Sequence, residues 1–202
     1  MPKLGPPAPS PQPLDPVFLR DNRSYMLNQI SLTSSQPKTE DAVDLLTGCH
    51  DRIRHFTSAA MKLAHAQGAT ADDIQQTAAG VHRYYTVSLP LHEADEEDTL
   101  RPRLAAIADE KLTHALLAMH DQHQAIDDLL ERLLPLLLLV SNNPNALHAA
   151  GAEMCSITKA LSELFQAHLQ MEEEVIFPAI RTSLPQEVRE EMLREMRGRR
   201  NK

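Results

Sequence analysis

The sequence contains no tryptophan, only 3% aromatic residues and only six glycines among 202 residues. A β-sandwich needs aromatic and β-branched strands and glycine-rich turns, so this composition argues against one. Hydrophobic residues nevertheless make up 42% of the chain, which is enough for a packed core. The composition therefore predicts an all-α protein, and its ten histidines are the first indication of chemistry.

Disulfide, secretion and membrane signals are also lacking. Two cysteines, Cys49 and Cys155, are too few for a disulfide framework. The proline-rich start has no apolar run of the signal-peptide type. The most apolar stretch, 133–140, contains a proline and is too short to cross a bilayer. We therefore expect a cytoplasmic protein with no membrane partner.

Positive charge is scarce in the middle of the chain. Residues 41–180 carry 21 acidic and 9 basic side chains, whereas residues 181–202 have a net charge of +3. Because an acidic body repels phosphate backbones, we expect no nucleic-acid partner. We interpret the basic end as a solvated helix terminus whose cations suit the helix dipole. The oligomeric state, monomer or dimer, stays open.

Hydrophobic periodicity divides the chain into three parts. Residues 1–38 form an arm with seven prolines in its first 16 residues, which we expect to be poorly ordered apart from a short helix over 17–35. Residues 39–182 contain four long amphipathic segments with short connections, which predict an up-down-up-down four-helix bundle. The segments cover roughly 40–66, 70–101, 109–140 and 145–177. Residues 183–202 predict a short C-terminal helix with a basic end.

Local signals predict where these helices begin and end. Thr39 and Thr70 are candidate N-caps. Gly68 and Pro178 are expected to end the first and fourth helices, and Pro90 is expected to disturb the second.

Each apolar helix stripe contains a histidine, and two stripes also carry a carboxylate four residues later. A histidine and a carboxylate with this spacing share one helix face. The residues concerned are His50, His92, Glu96, His123, His168 and Glu172. Burying four imidazoles and two carboxylates costs free energy unless something pairs them, and metal ions do this best.

An internal repeat makes the pattern specific. Aligning the His-x3-Glu pair at 92–96 with the pair at 168–172 also aligns a proline ten residues after each histidine. His50 and His123 precede these pairs by 42 and 45 residues. Two similar hairpins therefore bring four histidines and two glutamates to one centre. Six side chains crowd one ion but suit two ions, with the carboxylates as bridges.

This pattern resembles the hemerythrin-like, or HHE cation-binding, domain over residues 40–180. The resembling segments are CHDRIRHF (49–56), LPLHEADEEDTLRPRL (89–104), MHDQHQAIDDLL (119–130) and HLQMEEEVIFPAI (168–180). The resemblance implies a four-helix bundle around two non-haem iron ions, with Glu96 and Glu172 as bridging carboxylates. The implied ligands are His50, His92, Glu96, His123, His168 and Glu172. The histidine and acid spacings resemble the bacterial branch of the family, which includes sensors, scavengers and iron-handling proteins.

Two residues beside this set have open or minor roles. His120 lies three residues before His123, about 60° round the same face. It is an edge ligand, a ligand equal to His123, or a solvated residue. Cys49 precedes His50 and points about 100° away from it, so we interpret Cys49 as a packing residue.

Three classes of function follow from this interpretation. The leading hypothesis is a di-iron protein that binds or senses O2, NO or peroxide beside apolar neighbours. These neighbours are Leu89, Leu91, Leu164 and Phe165. The second is a di-iron enzyme acting on peroxide, or an iron-storage or scavenging protein. The sequence lacks the Glu-x-x-His motif of ferritin-like oxidases, so we expect binding rather than catalysis. The third is a metal-free helical module that binds a partner.

Overall fold

A computed structural model of the protein describes residues 41–66 and 68–201. The proline-rich arm, its expected helix over 17–35 and the cap candidate Thr39 lie outside the described residues. The described residues form helices and connecting turns without a strand, so the all-α fold class is confirmed. None of their helices is long and apolar enough to cross a membrane.

Four bundle helices and one C-terminal helix make up the described chain. The first bundle helix is α1 (Ala42–Ala64). The second, over 71–104, contains α2 (Ala71–Arg83), π1 (Tyr84–Ser88), α3 (Leu89–Ala94), π2 (Asp95–Leu100) and α4 (Arg101–Leu104). The third is α5 (Glu110–Asn142). A 3₁₀ turn (Pro144–Ala146) leads to the fourth, over 147–183, which contains α6 (Leu147–Met171), π3 (Glu172–Ile176) and α7 (Phe177–Ser183). The C-terminal helix is α8 (Gln186–Arg200).

Capping side chains fix the starts of the first two helices. The Asp41 and Asp44 carboxylates each accept a hydrogen bond from the other residue's backbone N–H, which forms a reciprocal capping box. The cap of α1 is therefore Asp41 and not the expected Thr39. Thr70 caps α2 as predicted, because its hydroxyl accepts a hydrogen bond from the backbone N–H of Asp73.

Glycine acts differently from what its position in the sequence predicts. The first helix already ends at Ala64, four residues before the expected end at Gly68. Gly68 lies in the connection to the second helix with a φ of +84°, in the left-handed region that glycine adopts without a Cβ penalty.

Prolines lie inside the second and fourth bundle helices without ending them. Each π segment is followed two residues later by a proline: Pro90, Pro102 and Pro178. A proline lacks a backbone N–H and its ring clashes with the carbonyl four residues earlier. The wider π turn, with hydrogen bonds between residues five apart, relieves this conflict. The expectation that the fourth helix ends at Pro178 is therefore wrong, since the helix continues to Ser183.

The bundle is closed, with two apolar clusters stacked along its axis. α1 packs on α2 and α6, and α5 packs on the same two helices. One cluster, which includes Leu63, Leu133 and Leu161, fills the half of the bundle that contains α2. The other, which includes Leu46 and Leu116, fills the half that contains α4 and α8. A polar layer lies between the clusters, and they shield it from water at both ends.

The C-terminal helix α8 belongs to the second apolar cluster. Its Met192 and Met196 are fully buried there. Arg199 and Arg200 form ion pairs with the buried carboxylate of Asp95, at 2.9 and 2.6 Å. The interpretation of the basic end as a merely solvated terminus is therefore wrong for these two arginines.

Candidate metal centre

The polar layer consists of the six side chains singled out by the repeat. All four bundle helices contribute to it, and none of the six residues is more than 4% exposed. They are His50 from α1, His92 from α3, Glu96 from π2, His123 from α5, His168 from α6 and Glu172 from π3. The fold thus brings all six together in one buried place.

These side chains form two groups that could each hold a metal ion. In each group, four ligand atoms lie within 4.8 Å of one another. One group contains His50 and His92 and the other contains His123 and His168, while Glu96 and Glu172 belong to both. Two adjacent sites that share two carboxylates are the arrangement that the repeat predicts for a pair of ions.

Each shared glutamate directs its two oxygens to different groups. In Glu96, Oε1 is 2.9 Å from Nε2 of His92 and Oε2 is 3.0 Å from Nε2 of His123. In Glu172, Oε2 is 3.0 Å from Nε2 of His50 and Oε1 is 3.6 Å from Nε2 of His168. Both carboxylates therefore have the position of a bridge between two cations.

Several donor atoms of this layer have no hydrogen-bond partner, as expected of atoms that would bind a cation. Nε2 of His50, Nε2 of His92, Oε1 of Glu96 and both carboxylate oxygens of Glu172 are buried without a hydrogen bond of good geometry. Buried polar atoms in folded proteins are nearly always paired. Orphaned nitrogen and oxygen atoms that converge on one place are the donor set that borderline divalent cations such as iron and zinc accept.

Electrostatics also favours a cation. Burial, together with the negative charge of Glu96, raises the pKa of Glu172 to about 7. Burial opposes the charge of Glu96 as well, but His92 and His123 outweigh it, and the pKa of Glu96 stays well below its usual range. Burial lowers the pKa of His168 to about 3. By themselves, the six side chains tolerate one carboxylate charge and resist the second, a conflict that a bound cation would remove.

Both shared glutamates lie in π segments, which were not predicted from the sequence. Glu96 is the second residue of π2 and Glu172 is the first residue of π3. Single π turns inside α-helices occur frequently at functional sites. The signal that could have revealed them is the proline six residues after each glutamate, Pro102 and Pro178.

Three histidines have a partner for their outer nitrogen, Nδ1. The partner oxygens are Oε1 of Glu173 for His50 (2.8 Å), Oε1 of Glu97 for His123 (2.9 Å) and Oε1 of Gln122 for His168 (3.1 Å). An acceptor at Nδ1 keeps the proton there and turns the Nε2 lone pair toward the metal. These three supporting residues were not predicted from the sequence.

His120 belongs to neither group of ligand atoms. Its side chain is 42% exposed, and its Nδ1 lies 3.1 Å from Oε1 of Glu97. The same oxygen is the partner of His123. The structure thus places His120 at the edge of the centre, where it shares the carboxylate of Glu97 with His123.

Two further neighbours of the centre were not predicted. The ring of Phe177 stacks on His50 with a centroid distance of 4.9 Å. The sulfur of Cys49 lies 3.6 Å from Nη2 of Arg200, which also pairs with Asp95. The interpretation of Cys49 as only a packing residue is therefore wrong. A helical wheel gives directions from one helix axis, whereas this contact depends on how α1 and α8 pack.

The fold and this layer define a four-helix-bundle protein whose core contains side chains that could hold metal cations. Residues 41–180 match the model of the hemerythrin HHE cation binding domain, and the chain belongs to this family. Comparisons with curated proteins and with solved structures gave no match. The resemblance inferred from the motifs is thus confirmed. The match ends before α8.

Proposed function

We propose that the chain binds two non-haem iron ions and uses an open coordination position to bind O2, NO or peroxide. The observation that carries this proposal is the pair of four-atom groups that share Glu96 and Glu172. Each group offers four protein atoms, fewer than the six of an octahedral ion. Bound iron would supply the electrons and the position for an external ligand.

The surrounding side chains suit such a role because they keep water away. Leu89 and Phe165, two of the apolar neighbours expected from the sequence, are buried, and Phe177 covers His50. The other two, Leu91 and Leu164, are half-buried. An apolar surround controls solvent access to a metal site, and it would slow the hydrolytic oxidation that ends reversible binding. The two cysteines are unpaired, which suits the cytoplasmic location that we propose.

Elemental analysis and visible spectroscopy test this proposal. We expect two iron ions per chain and a spectral change of the reduced protein that appears with O2 and reverses when O2 is removed. Two bound irons without a reversible change would leave scavenging or storage, and oxygen evolution from peroxide would indicate an enzyme. Protein from iron-supplied cells that contains no metal would overturn the proposal in favour of an interaction module.

The two histidines of α5 should differ in their effects. Replacing His123 by alanine should remove most iron from one position, because His123 lies in a ligand group and 3.0 Å from Glu96. His120→Ala should keep both irons and alter the visible spectrum or the rate of oxidation, because it changes only the surroundings of Glu97.

Iron per chain and the spectrum of each variant decide between these outcomes. If His120→Ala loses iron and His123→Ala keeps it, the alignment of the two hairpins is wrong in α5. Equal loss from both variants would make His120 a ligand equal to His123.

A further inference from the structure

A groove of about 440 Å³ runs between α1 and α6 and is partly open to solvent. Its lining residues recur at intervals of three or four along each helix, so they form one face of each. Thr57, Phe165 and Leu169 are buried at its base, and Ser58 and Ser162 are half-buried on its two sides. A groove of this volume is large enough to take up a small molecule.

One end of the groove reaches a histidine of the candidate metal centre. Glu173 lines this end, and its Oε1 lies 2.8 Å from Nδ1 of His50. Arg54, on the opposite side of the groove, donates a hydrogen bond of 2.7 Å to the same oxygen. At this end, a single side chain therefore separates the groove from His50.

The Arg54–Glu173 pair closes this end with side chains that are free to move. The two side chains are 48% and 36% exposed, whereas the residues of the centre are almost completely buried. An exposed ion pair is weak, and its side chains change rotamer without any change in the helices. The other lining residues carry no charge. The groove as a whole is therefore neutral and suits an uncharged molecule better than an ion.

The internal repeat provides a comparison between this side of the bundle and the opposite one, where α5 meets the second bundle helix. On the alignment of the two hairpins, Glu131 takes the place of Ser58, and Glu93 takes the place of Leu169. Glu93 is half-buried, and a carboxylate at that depth holds water because its dehydration costs free energy. The α1–α6 side instead offers small side chains above an apolar base.

We propose that the groove between α1 and α6 is the side from which a small uncharged molecule such as O2 or NO enters the centre, with the Arg54–Glu173 pair closing its inner end. This inference rests on the proposed function, and it adds the route and the class of molecule that the route admits. The α5 side, with its half-buried carboxylate, does not serve as an equal entrance.

Filling the groove tests the proposal through the kinetics of NO binding to the reduced, iron-loaded protein. Ser58→Phe should lower the rate constants of NO binding and release by about tenfold each, the effect of a small added barrier. The affinity should stay the same, because the variant changes only the route. Glu131→Phe places the same ring at the equivalent position of α5 and should leave both rate constants unchanged. Ser162→Phe fills the groove from α6, so it repeats the test if Ser58→Phe does not fold.

Opening the inner end should have the opposite effect. Arg54→Ala should raise the rate constants of NO binding and release, because Glu173 then loses the side chain that closes the groove. Arg101 is the matched control, since it pairs with Glu97 at 2.7 Å, and Glu97 supports a ligand histidine as Glu173 does. Arg101→Ala should leave both rate constants unchanged. Equal acceleration by the two variants would overturn the role of Arg54 as the closure.

The metal-free protein gives a second readout, because dissolved O2 is paramagnetic and speeds the relaxation of nuclei that it contacts. The methyl group of Met61, in the groove, should relax faster under O2 than the methyl groups of Leu134, the equivalent residue of α5. Both side chains are half-buried. Ser58→Phe should remove the difference. Equal relaxation of the two residues in the parent, or an unchanged difference in Ser58→Phe, would overturn the groove as a place that admits O2.

These measurements separate the failure of this inference from the failure of the proposed function. A parent protein that binds no iron would overturn both, because the groove would then lead to no centre. A parent with two irons and reversible NO binding whose rate constants are the same in Ser58→Phe, Ser162→Phe and Arg54→Ala would overturn this inference alone. Slowing by Glu131→Phe as large as that by Ser58→Phe would also overturn it.

Discussion

Replacing Glu172 by glutamine should remove both metal ions, although only one charge is lost. Glu172 belongs to both groups of ligand atoms, with its two oxygens 3.0 and 3.6 Å from histidines of different groups. The glutamine variant keeps the side-chain volume but removes the negative charge that both cations share. We expect elemental analysis to find almost no metal in this variant after purification under conditions that load the parent protein.

The next two residues, Glu173 and Glu174, provide comparison variants in which we expect a smaller loss of metal or none. Glu173 supports Nδ1 of His50, so Glu173→Ala should keep both ions but release them about 10- to 100-fold faster. Glu174 is exposed and accepts a hydrogen bond from Gln170, one turn earlier on the same helix. Glu174→Ala should therefore behave as the parent does. If Glu174→Ala loses as much metal as Glu172→Gln, the metal lies on the exposed acidic face and not in the core.

Removing the metal should lower the melting temperature by about 8–16 °C. A ligand that binds only the native state at about 1,000 times its Kd stabilises that state by about 4 kcal/mol. For a domain of about 150–250 residues, each kcal/mol corresponds to roughly 2–4 °C. The metal-free layer also has to hold the carboxyls of Glu96 and Glu172 together in a buried place.

Calorimetry of chelated and reloaded samples measures this effect. Glu172→Gln is the control, because metal should not shift the melting temperature of a variant that cannot bind it. A chelated parent that melts as high as the loaded parent would show that the bundle does not depend on its ions.

The helices and the six residues of the candidate site could be predicted because they depend on spacing within single helices. The four-three spacing around His123 and the four-residue spacing of His92 and Glu96 each describe one face of one helix. Two matched hairpins then require these faces to meet. The π turns begin near the glutamate of each pair, His92–Glu96 and His168–Glu172. They therefore do not move the glutamate away from the helix face of its histidine.

The remaining features depend on contacts between distant segments. Cys49 and Arg200 are 151 residues apart in the chain, and no periodicity within either helix indicates their contact. The continuation of the fourth helix past Pro178 depends on a change of hydrogen-bond pattern in π3. A proline alone indicates the usual break, so the sequence signal predicted the commoner outcome.

The ion pairs of Asp95 have a consequence for where the protein can be cut. A fragment trimmed to the family match at residue 180 would lack α8 and both arginines that neutralise this buried carboxylate. Breaking a buried ion pair by removing one partner costs about 3–5 kcal/mol, a large share of the stability of an ordinary domain. The same cut would uncover the apolar surface now covered by Met192 and Met196. We therefore expect the smallest autonomously folding unit to extend beyond the family match, as far as the last turn of α8.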